Sequence, residues 1–127
     1  MKTRIVLLIF IFPLLIFSCK KETFPDNEDL VGRWIEITYL LDKQVLVFDD
    51  EETLFYTRPG SRYVSTDTFL YRLDKEQERL FLTPANFPGA SESSYQIQLD
   101  KNNNELTVWG LLISIPETPS ETKFKKQ

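Results

Sequence analysis

Ser94-Tyr95-Gln96-Ile97-Gln98-Leu99-Asp100 alternates without a break: Tyr95, Ile97 and Leu99 fall on one face, Ser94, Gln96 and Gln98 on the other. A period of two is that of a strand with one buried face. Lys101-Asn102-Asn103-Asn104 follows with turn chemistry, since asparagine tolerates a positive φ. Glu105-Leu106-Thr107-Val108-Trp109 then resumes the alternation. The two runs predict a β-hairpin, and the rest of the chain extends it in both directions.

Upstream, residues 30–41 predict a long first strand carrying Trp34, Ile35, Ile37 and Tyr39, and residues 44–48 a second. Asp49-Asp50-Glu51-Glu52 turns the chain into a strand over 53–57, and Arg58-Pro59-Gly60-Ser61 carries the Pro-Gly pair of a type II turn. Further strands are predicted over 62–65, 68–74 and 79–83, with a long loop from Pro84 to Ser93. Gly110 interrupts an apolar stretch as a bulge or bend would. Residues 121–127 read as a frayed tail or a short closing strand. No run after Cys19 shows an apolar stripe at helical spacing. The expectation is an all-β antiparallel meander of about eight strands, folded as a barrel or a sandwich. Closure into a small barrel is favoured, because an open meander leaves two unpaired edges.

The N-terminus is of another kind. Lys2 and Arg4 precede an uninterrupted apolar run from Ile5 to Phe17. Thirteen residues fall short of the ~20 that a membrane-spanning helix needs, and suit the apolar core of a secretory signal. Ile16-Phe17-Ser18-Cys19 resembles the lipobox of bacterial lipoproteins, and Cys19 is the one cysteine of the chain. The resemblance implies cleavage before Cys19, a diacylglycerol thioether on its Sγ, and an acyl chain such as palmitate on the new N-terminus. With about 0.8 kcal/mol per buried CH₂, two or three such chains hold a protein on a bilayer. The resemblance also implies placement at the outer membrane of a Gram-negative cell envelope, on its periplasmic or cell-surface face. The plain alternative is a secreted protein with an incidental thiol. Residues 1–18 are thus read as signal, 19–29 as a lipidated flexible tether, and 30–127 as one folded domain.

The formal charge is −4, and the loss of Lys2 and Arg4 with the signal makes it more negative. Without a basic cluster the domain is a poor partner for nucleic acid. Lys20 and Lys21 would lie at the bilayer surface, within reach of anionic headgroups.

Leu30-Val31-Gly32-Arg33-Trp34 opens the first strand with Gly-x-Trp. The motif resembles the start of lipocalins and of lipocalin-like domains in bacterial lipoproteins, and the later hairpin and the ending Lys123-Phe124-Lys125 match such a layout. The resemblance implies a lipocalin-like barrel over 30–127, in which Gly32 permits a close crossing at the closed end and Trp34 plugs it. A cation from the last strand, Lys123 or Lys125 here, would pack on the ring. It also implies a small apolar or glycan ligand held in the barrel.

Chemistry-bearing residues are few. The chain has no histidine, which removes Ser-His and Cys-His nucleophiles and histidine zinc sites. No catalytic residue, cofactor or metal is assigned, and the protein is read as a non-enzyme. The 49–52 carboxylates match no calcium loop and read as a solvated turn. The aromatics carry two readings. They fill a small barrel, as side chains do in barrels of this size; or some line an open-ended pocket of at least about 300 Å³, for which Tyr56, Tyr71 and Tyr95 are the candidates. The rival function is an interaction module, such as an envelope accessory subunit, inhibitor or immunity factor. It would have a filled barrel and use its outer face or the 84–93 loop on a protein partner.

Overall fold

The computed structural model describes residues 24–38, 43–59, 63–111 and 120–127. The signal segment, the lipobox with Cys19, Tyr39, Gly60 to Arg62 and the two prolines at 116 and 119 lie outside the described residues. After a helical turn α1 (Asn27–Leu30) come β1 (Gly32–Glu36), β2 (Val45–Phe48), β3 (Thr53–Pro59) and β4 (Val64–Asp74). β5 (Arg79–Pro84), β6 (Ser93–Asp100), β7 (Glu105–Trp109) and β8 (Glu121–Lys126) complete the set. Each strand pairs antiparallel with the next, and β8 pairs back onto β1, so the sheet is a closed eight-stranded barrel. The alternation that predicted the 94–109 hairpin sets its register, with Leu99 opposite Leu106 and Ile97 opposite Val108. All four are buried.

Three differences from expectation, and the choice left open at the C-terminus, have local causes. Residues 62–65 and 68–74 belong to one continuous strand, β4, whose polar stretch Ser65-Thr66-Asp67-Thr68 pairs residue by residue with Phe55 to Arg58. The C-terminal segment is a full closing strand and not a frayed tail, since Thr122 and Phe124 are buried and β8 bonds to both neighbours. β1 is shorter than expected: it ends at Glu36, and Ile37 is exposed.

The last concerns the tether, which was expected to stay flexible through Asp29. Its end is instead built into the barrel. Leu30 is wholly buried, Pro25 is buried and Phe24 packs on the core. The Asp26 amide donates to Asp29 Oδ2 at 2.9 Å, which starts the helical turn. Lys75 pairs with Asp26, Lys101 with Asp29 at 3.0 Å, and Asn27 reaches Glu52 at 3.5 Å, so the segment touches all three turns at this end. Such exposed pairs are screened by solvent and add little, whereas burying Leu30 contributes roughly 2 kcal/mol, so the apolar contact dominates the docking.

This end is closed. The Trp34 Nε1–H donates to the Leu30 carbonyl at 2.7 Å, and the Lys126 ammonium sits 5.3 Å from the centre of the indole. The cation expected on the ring is therefore neither Lys123 nor Lys125. Phe124 points inward, so position 126 shares its face and 123 and 125 point out. Lys126 also donates to the Asp29 carbonyl at 3.0 Å. Gly32 has φ +131°, and a Cβ there would stand 2.9 Å from Lys126 Cε. The lysine tip can move aside but the backbone angle cannot. Gly32→Ala is expected to cost about 1–3 kcal/mol in a denaturant titration; an unchanged midpoint would show that the backbone relaxes freely.

Candidate ligand site at the barrel mouth

At the other end β1, β3, β5 and β7 finish and β2, β4, β6 and β8 begin. The register divides the interior into two halves. Near the closed end it holds Leu30, Trp34, Phe48, Leu54, Tyr71, Leu80, Leu99, Leu106 and Phe124. Toward the mouth the inward positions become polar: Glu36 on β1, Gln44 before β2, Tyr56 and Arg58 on β3, Asp67 on β4, Tyr95 on β6 and Thr122 on β8.

A cavity of about 260 Å³ opens here, lined by Tyr56, Arg58, Phe69, Leu82, Tyr95, Gly110 and Leu111. It is smaller than the ~300 Å³ expected of a ligand pocket, because an eight-stranded barrel leaves little room beyond its own side chains. Tyr56 and Tyr95 line it together. Tyr71 does not: it lies at the closed end, edge-on to Phe48 with centroids 5.0 Å apart, its hydroxyl donating to the Asp49 carbonyl at 3.1 Å. Two of the three tyrosines read from the sequence thus line one cavity, and the third is core.

The electrostatics of the wall are unusual for so small a barrel. Tyr56 donates its hydroxyl to Gln44 Oε1, and the Gln44 amide donates to Glu36 Oε2 at 2.9 Å. Burial, with a further push from Glu36, Tyr95 and Asp67, outweighs Arg58 and drives the Tyr56 hydroxyl up to about 12. Arg58 pairs with Asp67 and lies 5.4 Å over the Tyr56 ring. Glu36 is only 1% exposed, yet among the described residues its Oε1 has no hydrogen-bond partner, and Thr122 Oγ1, wholly buried, has none there either. Glu36 was missed from the sequence, although a signal was there: in Trp34-Ile35-Glu36, strand parity puts the acid on the face of the buried tryptophan.

No family model, curated protein or solved structure matches the chain. The site must therefore be read from its own geometry.

The acidic run at 49–52 is a turn. Asp49 Oδ1 accepts from the amides of Glu51 at 3.0 Å and Thr53 at 2.7 Å, and no group of three or more metal-ligating side chains occurs among the described residues. Glu36 is the sole acid among the buried described residues, so no buried carboxylate pair for hydrolysis is present there.

Proposed function

We propose that this protein is a lipid-anchored, lipocalin-like protein of the cell envelope that holds a small ligand in the mouth of its barrel. The observation that carries the reading is the cavity itself, where Phe69, Leu82 and Leu111 meet Tyr56, Arg58 and Tyr95, at the end of the barrel away from the N-terminus. Phe24 enters at the closed end, five residues after Cys19. An extended chain covers at most ~3.6 Å per residue, so an acylated Cys19 would hold the closed end within roughly 18 Å of the bilayer. The mouth would then face away from the lipid, open to ligands in solution. No catalytic role is proposed.

Cys19→Ser is expected to move the protein from the membrane pellet to the soluble fraction without changing its thermal melt. A variant that still pellets would remove the anchor. For the ligand, native mass spectrometry of protein purified from its host is expected to show an extra bound mass, lost when Leu111→Trp fills the cavity. Bare protein in both preparations would count against the pocket.

A second reading has its own support. Tyr63 is 83% exposed, Val64 73% and Phe87, in the 84–93 loop, 70%; all lie on the mouth side of the barrel. Such side chains suit a protein partner seated over the rim. Cross-linking in intact cells that captures one partner through Phe87, with no ligand mass in the barrel, would favour this reading.

A further inference from the structure

The strand register grades the cavity lining from apolar to charged. Toward the mouth the inward residues of β3 run Leu54, Tyr56, Arg58, and those of β4 run Tyr71, Phe69, Asp67. Leu54 and Tyr71 belong to the buried core, whereas Tyr56, Phe69 and Arg58 line the cavity. Leu82 of β5 pairs with Tyr71, which makes it a diagonal neighbour of Phe69 on the same face. Leu111, beyond the end of β7, completes the apolar part of the lining. Asp67 lies opposite Tyr56 in the register, and Arg58 reaches back across the diagonal to pair with it. Both side chains of that pair are about half-exposed, so the charge stands at the rim and the apolar residues lie deeper.

Of the described residues that line the cavity, Arg58 alone carries a charge, and its place is fixed from two sides. Its guanidinium lies 5.4 Å from the centre of the Tyr56 ring, and that ring is itself tied down by its hydroxyl on Gln44. Asp67 holds the guanidinium through one nitrogen, Nη2, on one oxygen, Oδ2. A guanidinium carries five N–H donors in a planar fork, so a single carboxylate oxygen leaves most of them for another acceptor. An ammonium ligand would meet a like charge at this rim, and an alcohol would make only a weaker, neutral hydrogen bond to the fork. A carboxylate fits: its two oxygens match the fork, and a hydrocarbon body attached to it reaches the apolar lining.

We infer that the barrel mouth binds a small amphiphilic carboxylate, its head on the Arg58 guanidinium and its hydrocarbon part against Phe69, Leu82 and Leu111, in competition with Asp67. This rests on the mouth being a ligand site, and adds the class of ligand and a counter-ion that holds the arginine until the ligand arrives. The Arg58–Asp67 pair is exposed enough to be screened by solvent, so it yields to a carboxylate that also buries hydrocarbon. The volume keeps the ligand short, since 260 Å³ is only about nine waters' share of liquid volume.

The test is calorimetric titration of the purified protein with three probes of one chain length: sodium hexanoate, hexanol and hexylammonium chloride. Hexanoate is expected to bind best, hexanol ~10-fold weaker, and hexylammonium weakest. Arg58→Gln is expected to weaken hexanoate by ~10-fold or more and leave hexanol nearly unchanged. Asp67→Asn, of the same shape without the charge, is expected to tighten hexanoate by a few-fold and again leave hexanol alone. Should Arg58→Gln fail to fold, the ranking of the probes on the unaltered protein and the Asp67→Asn titration decide. Equal binding of all three probes, a preference for hexylammonium, or an Arg58→Gln variant with unchanged hexanoate affinity overturns the carboxylate seat while leaving a ligand site. An Asp67→Asn variant that binds hexanoate more weakly overturns the competition. Binding of none of the probes overturns both the seat and the ligand site.

Discussion

Trp34→Ala is expected to lower the unfolding free energy by about 4 kcal/mol, more than any other single truncation near the closed end. The ring is 1% exposed and lies against the register partners Leu46 and Lys126. Removal leaves a cavity that the surrounding strands cannot close, because each is fixed by hydrogen bonds on both sides. It also strips the Leu30 carbonyl of its 2.7 Å donor and Lys126 of the ring beneath it. For a domain of this size the melting temperature should fall by roughly 15–30 °C. Trp34→Phe separates the contributions: most of the ring volume stays, the indole N–H goes, and the loss should be nearer ~2 kcal/mol. An alanine variant melting within a few degrees of the unaltered protein would show that the indole does not seal this end. The consequence reaches the N-terminus, since Trp34 holds Leu30 and Leu30 ends the helical turn. Phe24 should become accessible to protease in the same variant.

The parts of this fold that were legible in the sequence are those where one strand face meets apolar core and the other meets water. β6 and β7 are of that kind, as are β2 and β5, and their alternation could be read directly. β4 was split because its first half lies at the mouth, where inward and outward positions are both polar and Ser65-Thr66-Asp67-Thr68 carries no period. The helical turn is not legible as such because four residues cannot display a 3.6-residue repeat. Its one local signal was the Asp26-x-x-Asp29 spacing of a capping box. Lys126 and Glu36 were missed although strand parity alone could have placed both: each is two residues from a buried aromatic, Phe124 and Trp34. The habit that hid them is the assumption that charged side chains point outward. At the closed end that assumption fails because the lysine tip finds an indole and a carbonyl. At the mouth it fails because the Glu36 carboxylate accepts the Gln44 amide inside the barrel. Tyr71 errs the other way: a phenol reads as a pocket residue, yet its hydroxyl is satisfied by a turn carbonyl and its ring by Phe48.

Tyr56→Phe should reverse its effect on stability as the pH is raised. At neutral pH the variant loses the hydrogen bond to Gln44 and leaves a buried amide oxygen without its donor, a cost of about 1–2 kcal/mol. The alkaline limb runs in the opposite direction. Tyrosine is neutral when protonated, and the fold raises Tyr56 from 10.0 to about 12. Below pH 10 both folded and unfolded chains keep this proton, and the contribution to stability is whole. Between pH 10 and 12 the unfolded phenol ionises while the folded one does not, so stability drains away. By linkage the loss reaches up to about 3 kcal/mol, which phenylalanine cannot suffer. The two unfolding free energies should therefore converge above pH 10 and cross before pH 12. Tyr71, also raised by its burial and by Asp49, declines in both proteins and leaves the difference untouched. Urea titrations of both at pH 9, 10.5 and 11.5 check this directly. A gap that stays constant across that range would mean that the Tyr56 hydroxyl ionises as easily in the barrel as in water. The cavity that Tyr56 lines would then be wet.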